Sequence, residues 1–126
     1  DMNSRDKGKR AEREAARELQ ELFGTAFRRS QQYAGGVDSA DVIGGPSELH
    51  WEVKHQEKMR LYSWVEQSVD DCGTKLPLVA HKQNRKEWLI TIRLNDLLRL
   101  SRIIGKWDTA KKSTGLSGGH GDSSCS

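Results

Sequence analysis

Apolar and polar positions recur along this chain in two rhythms, one near every third or fourth residue and one at every second, and the switches between them mark out the elements. The segment GKRAEREAARELQELFG has helical spacing and is rich in Ala, Glu, Arg and Leu, which predicts a helix stopping at Gly24. TAFRRS predicts a short strand, followed by the loop QQYAGGVDS. ADVIG and ELHWEVK predict two strands joined by a turn at Gly44-Gly45-Pro46-Ser47. RLYSWVEQSVDDC predicts a second helix ended by Gly73, and LPLVAH and EWLITIR predict two further strands across the polar turn KQNRK. LNDLLRLSRII predicts a third helix with Asn95 or Asp96 in its first turn. From Gly105 the chain becomes Gly/Ser-rich and nearly free of aliphatic residues, so a domain over 1–104 is expected to end in a tail over 105–126, with Trp107 as its candidate anchor. The order helix, three strands, helix, two strands, helix describes a small α/β domain around a mixed sheet.

Composition narrows this picture modestly. A chain of 126 residues suits one core, and the low apolar content of 34% fits a chain that is not ordered throughout. A net charge of +3 and a sequence pI near 9.0 admit a nucleic-acid partner without requiring one. Cys72 and Cys125 lie too far apart for a disulfide framework or for the closely spaced ligand pairs of a zinc site. The opening DMNSRDKGKR has no apolar signal-peptide core, and WLITI is far too short to span a bilayer. The expected location is intracellular, in the cytoplasm.

The chemistry starts at LHWEVK. Strand side chains alternate between faces, so Leu49, Trp51 and Val53 point one way and His50, Glu52 and Lys54 the other. An acid and an ammonium then share one face, which in isolation is most often an ordinary ion pair on a half-exposed strand. The first helix adds a second acid. At roughly 100° per residue, Ala11, Ala15, Ala16, Leu19, Leu22 and Phe23 fall on one arc with Glu12 near its middle, while Glu14, Glu18 and Glu21 lie on the opposite, polar side. A carboxylate on a core-facing stripe is expensive unless paired or bound to a cation; the plain alternative is a first-turn acid favoured by the helix dipole. Asp41 is the third acid. It opens the strand DVIG, and the short hairpin can set it beside Glu52, opposed side chains being roughly 5 Å apart. Asp38 competes for this role but lacks the apolar run that follows Asp41.

Three converging carboxylates repel one another more than Lys54 alone can offset: two of them at 4 Å cost about 4 kcal/mol at an effective dielectric near 20. A hard divalent cation can offset it, and an all-oxygen donor set suits magnesium, with manganese able to substitute. Such a site supports attack of water on a phosphodiester, with Lys54 orienting or helping to deprotonate the water. Arg10, Arg13, Arg28, Arg29, Lys58 and Arg60 are candidates for a phosphate-contacting rim, with solvated surface as the alternative. His50 shares the face of Glu52, Gln67 sits on the second helix, and Tyr33 in the loop is positioned to stack on a base or to close the loop.

Taken together, AERE followed by ADVIGGPSELHWEVK resembles the PD-(D/E)XK nuclease superfamily, and within it the small Holliday junction resolvases of archaea and phages. The matching positions are Glu12, then Arg29 and Ser30, then Asp41, then Glu52 with Lys54, and the likeness runs over about residues 8 to 104. Ala40 stands where the family often has proline, and the long Ser30–Asp41 interval keeps Asp38 in competition. The resemblance implies a restriction-endonuclease-like core with a mixed sheet of about five strands and catalytic residues Glu12, Asp41, Glu52 and Lys54. It implies metal positions at Glu12, Asp41, Glu52 and Val53, and DNA contacts from Arg10, Arg13, Arg29, Ser30, Lys58 and Arg60. The activity it implies is magnesium-dependent cleavage of four-way DNA junctions by a homodimer, in a prokaryotic, archaeal or phage-infected cell. A nuclease of this fold acting on nicks, flaps or duplex, and a DNA-binding module without turnover, are the alternatives. Material for a dimer built largely on helix surface is visible in the third helix, where Leu94, Leu97, Leu98, Leu100, Ile103 and Ile104 spread over more than one sheet face needs, and in the second, which is similarly rich with Leu61, Tyr62, Trp64, Val65 and Val69.

Overall fold

The computed structural model describes residues 4–31 and 40–113. Helix α1 (Ser4–Phe23) buries Ala11, Ala15, Ala16 and Leu19 against a five-stranded sheet. Its small side chains let the helix axis approach the strands closely. Gly24 ends it with φ of 70°, its N–H bonded to the Gln20 carbonyl at 2.8 Å, a backbone conformation that glycine adopts without strain. Leu22 lies on the same arc yet is 74% exposed, at the helix end.

The strands are β1 (Phe27–Arg29), β2 (Val42–Gly44), β3 (Leu49–His55), β4 (Leu76–Lys82) and β5 (Leu89–Thr91), in the spatial order β1-β2-β3-β4-β5. All neighbours are antiparallel except β3 and β4, which run parallel from Leu49↔Leu76 to His55↔Lys82. A parallel pair needs a crossover, and helix α2 (Leu61–Asp71) supplies it. The predicted mixed sheet and its element order are therefore present, with β1 and β5 at the edges. The turn between β2 and β3 depends on Gly44, φ 147°, where an added Cβ would lie 2.6 Å from both the Ala26 carbonyl oxygen and the Phe27 ring.

The alternation in LHWEVK holds, but both faces of β3 are covered. Leu49, Trp51 and Val53 join Leu76, Leu78 and Ala80 of β4 in the core under α1. His50 and Glu52, on the opposite face, are also buried. Helix α2 lies over that second face, with the Ser68 hydroxyl donating to the Leu78 carbonyl at 3.0 Å and Trp64 packed 5.6 Å from His81. The half-exposed strand of the simplest sequence reading is thus a central strand, and the fold tolerates polar groups there only because they are partnered.

The third helix departs from expectation at both ends. Leu94–Asp96 form a single tight 3-10 turn, with Arg93 bonded to the Asp96 carboxylate at 2.8 Å, and helix α3 then runs from Leu97 to Ser113. It continues through Gly105, so residues 105–113 are helix rather than the expected tail; residues 114–126 lie outside the described residues. The cause is packing that composition did not show. Trp107 sits edge-on to Phe23 at 5.3 Å, and Lys111 donates to the Phe23 carbonyl at the open end of α1. Phe23, Phe27 and Trp51 complete an aromatic cluster with centroid separations of 5.3 to 6.3 Å. Among the described residues no helix is long and apolar enough to cross a membrane.

Candidate active site

Asp41 immediately precedes β2, and its backbone is irregular in a way that matters. Val42 pairs with Trp51, while the Asp41 N–H also bonds to the Trp51 carbonyl, at 2.9 Å. Two residues thus address one, as at a β-bulge, a feature that re-aims side chains beside active sites. Asp41 is consequently not simply opposed to Glu52. Its carboxylate instead accepts the Val53 N–H at 2.8 Å, on the peptide that links Glu52 to Val53. Val53 N–H and C=O face the same neighbour, as in any strand residue, so its carbonyl points to the Asp41 side as well. Asp38 and Tyr33 lie outside the described residues.

Glu52 is 1% exposed, and its Oε1 lies 3.1 Å from His50 Nε2, in a ring that is itself fully buried. Lys54, two residues on and partly exposed, donates to Gln67 Oε1 of α2 at 2.8 Å. Glu12, half-buried on α1, pairs with Arg29 Nε at 2.8 Å. Burial lifts the Glu12 carboxyl above its ordinary range; the Arg29 guanidinium pulls it down, and the negative charge of Glu52 adds to the rise. The helix acid and the strand acid therefore sense each other. Among the described residues, however, no three His, Cys, Asp or Glu side chains converge closely enough to hold a metal. The expected three-carboxylate cluster is opened out because each acid has a protein partner of its own: Arg29 for Glu12, the Val53 N–H for Asp41, His50 for Glu52.

The donor chemistry nevertheless fits a hard cation. Asp41, Glu52 and the Val53 carbonyl are all oxygen donors at one end of β3, the set that magnesium accepts together with water. Lys54 is the ammonium next to them. On the rim, Arg10, Arg13, Arg28, Lys58 and Arg60 are exposed, whereas Arg29 is tied to Glu12 and Ser30 gives its N–H to the Asp41 carbonyl at 2.9 Å.

Glu14 is not simply solvent-facing, as helical phase suggested it to be. Its Oε2 pairs with Lys82 at 3.1 Å and accepts from Trp88 Nε1 at 3.3 Å, and the Lys82 side chain also lies over the Trp88 ring. Despite partial burial, those hydrogen bonds and the Lys82 charge hold its carboxyl below the ordinary range. Sequence periodicity could not show this, because the partners come from β4 and the turn after it. The bond between His50 and Glu52 did leave a signal: two residues apart in a strand means the same face.

The family described as "Phage putative PDDEXK endonuclease" matches residues 3–114. Among solved structures, Archaeoglobus fulgidus Hjc, a Holliday junction resolvase from an archaeal hyperthermophile, is similar at 29% identity with a TM-score of 0.50, over 68% of this chain and 72% of that one. No curated protein sequence matches at a significant level.

Proposed function

The chain belongs to the phage PDDEXK endonuclease family, and from that premise we propose that it is a divalent-cation-dependent DNA endonuclease that resolves four-way junctions. The observation that carries the catalytic half is the Asp41 carboxylate seated 2.8 Å from the peptide nitrogen after Glu52, with Lys54 one residue further along. It supports a site at one strand end in which two acids, a peptide carbonyl and an ammonium act together. A pure binding module has no reason to concentrate negative charge beside phosphate. The junction half rests on the similarity to the archaeal resolvase.

In this reading Asp41, Glu52 and the Val53 carbonyl hold magnesium or manganese, with Glu12 drawn toward it from Arg29. The cation supplies positive charge that offsets the charge developing on the phosphate in the transition state. Lys54 orients the attacking water; Gln67 occupies one of its three donors and fixes the direction of the others. Water and phosphodiester give an alcohol and a phosphomonoester, one P–O bond forming as another breaks. Arg29, once Glu12 turns away, is placed to contact a phosphate oxygen, and Arg10, Arg13, Ser30, Lys58 and Arg60 hold the neighbouring backbone.

Two opposed cuts in a two-fold junction call for two sites, and a C2 dimer supplies them. Leu89 and Ile90 on edge strand β5, each 49% exposed, Leu94 just before α3, at 83%, and Leu97 and Leu98 at its start, at 52 and 69%, are exposed apolar side chains available for it. Incubation with a panel of junction, flap, nicked and duplex DNAs in magnesium tests the substrate. Paired symmetric cuts in the junction are expected; preference for another member makes the chain a nuclease of the same family with that substrate, and no cleavage of any leaves a binding module. Light scattering should give a dimer at micromolar concentration. Burying a leucine is worth about 1.5–3 kcal/mol, so Leu97→Glu with Leu98→Glu should weaken dimerisation ~10²-fold or more and leave single nicks in place of paired cuts. A wild-type monomer, both free and on junction DNA, would remove the resolvase reading.

A further inference from the structure

The imidazole of His50 is fully buried, at 0% exposure among the described residues, and the site as outlined above gives it no task. On its face of the sheet, β3 runs beside Pro77 and Val79, neither of which offers a side-chain donor, and the Ser68 hydroxyl of α2 is committed to the Leu78 carbonyl. Among the described residues His50 is therefore the sole hydrogen-bond partner of the Glu52 side chain. An ionised carboxylate only accepts, so Nε2 carries the proton and donates to Oε1. The terminal torsion of a glutamate is otherwise broad. With Oε1 tied, the plane of the carboxylate is set, and Oε2 has a defined direction with no protein donor among the described residues.

We propose that His50 is a positioning residue for the cation: it pins Oε1 of Glu52 so that Oε2 is presented to the ion shared with Asp41. This rests on the functional reading above, in which Glu52 is a metal ligand. A simpler role, satisfying a buried charge, predicts the opposite sign. If His50 merely neutralises Glu52, it competes with the cation, and removing it leaves an orphaned carboxylate that binds metal more tightly. If it positions Glu52, removing it loosens the metal, because hydrogen-bond partners of ligands typically contribute about 10–100-fold in affinity.

The test is manganese binding to the DNA-free full chain, read from the electron paramagnetic resonance signal of unbound Mn2+, for wild type, His50→Leu, His50→Gln and Glu52→Gln. Thermal unfolding of each runs alongside. The expected order is a loss of about 10–100-fold in His50→Leu, recovery of most of it in His50→Gln, whose amide can donate to the same oxygen, and the greatest loss in Glu52→Gln. Unchanged or tighter binding in His50→Leu while Glu52→Gln is impaired overturns the positioning role alone. Wild-type affinity in Glu52→Gln overturns the metal assignment, and the functional reading with it. Should His50→Leu fail to fold, the wild-type protein decides: in 15N–1H spectra of its imidazoles, the Nε2-bound proton of His50 should persist and shift with the same midpoint as magnesium binding. Loss of that proton or indifference to magnesium overturns the proposal.

Discussion

Asp41→Asn and Glu52→Gln should each abolish cleavage while leaving DNA binding intact or tighter. Both substitutions preserve the hydrogen bonds that hold the local fold. The Asn side-chain carbonyl can still accept the Val53 N–H, now accepted by Asp41 at 2.8 Å, and the Gln carbonyl can still accept from His50. What each removes is a negative charge that the proposed function assigns to the cation. If the ion contributes several kcal/mol to the transition state, loss of about 4 kcal/mol corresponds to a ~10³-fold fall in rate. Repulsion between the same charge and the DNA backbone falls too, so fluorescence anisotropy should show junction affinity equal to wild type or a few-fold tighter, most clearly at low salt. Calcium should support binding without efficient turnover, since its looser coordination positions water poorly. Cleavage at near wild-type rate by either variant in magnesium would show that the site has been misassigned.

Glu12→Gln and Glu14→Gln should separate activity from stability. Glu12 approaches the site and faces Glu52 electrostatically, so its loss should lower the cleavage rate ~10²-fold or more. It should not lower stability: the neutral amide can still meet Arg29, and the charge it replaces is one that burial opposes. Glu14→Gln should leave the rate per folded molecule near normal, since its partners are Lys82 and Trp88. It should cost about 1 kcal/mol of stability, because one amide oxygen cannot serve both donors with a full charge. The two acids also have opposite pH signatures. Glu14 is held below its ordinary value of 4.5 in the folded protein, so its contribution is present above that pH and lost as pH falls through the lower folded value. Glu12 is held above 4.5, so the folded state binds its proton more tightly and stability declines as pH rises from 4.5 through the folded value. Urea unfolding of wild type and Glu14→Gln should therefore converge below the carboxylate range. Equal catalytic defects in the two variants, or the reverse ranking, would dismantle the assignment of Glu12.

The apolar surface behind the proposed dimer divides between two helices. Leu100, Ile103 and Ile104 pack on the core, whereas Leu94, Leu97 and Leu98 do not, so the excess apolar residues of the third helix divide between core and exposed surface. Of the apolar side chains of α2, Trp64 is buried against His81, Leu61, Val65 and Val69 are half-buried, and Tyr62, at 86%, is exposed. The apolar residues exposed around β5 and the start of α3 outnumber the single exposed one of α2, which is why the proposed dimer is drawn there.

Local sequence determined the elements and the phase of the residues on them. Helical periodicity put Ala11, Ala15, Ala16 and Leu19 on the buried side of α1 and set Glu12 among them; the Gly-Gly-Pro-Ser turn made a hairpin; strand alternation placed His50, Glu52 and Lys54 together. These are properties of neighbours in the chain, decided by backbone geometry, and they are legible without knowing what lies across from them. Tertiary structure alone decided what each charged group faces. Glu12 meets Arg29 from 17 residues away, Glu14 meets Lys82 from 68, and Asp41 reaches the Val53 N–H only because the chain bulges at the start of β2. Gly105 did not stop α3, because Trp107 and Lys111 found Phe23 at the end of a helix more than eighty residues earlier in the chain. The physical reason is range. Period and turn chemistry act over a few residues, whereas the energy of a buried charge or an aromatic contact depends on whichever distant side chain the fold brings to it.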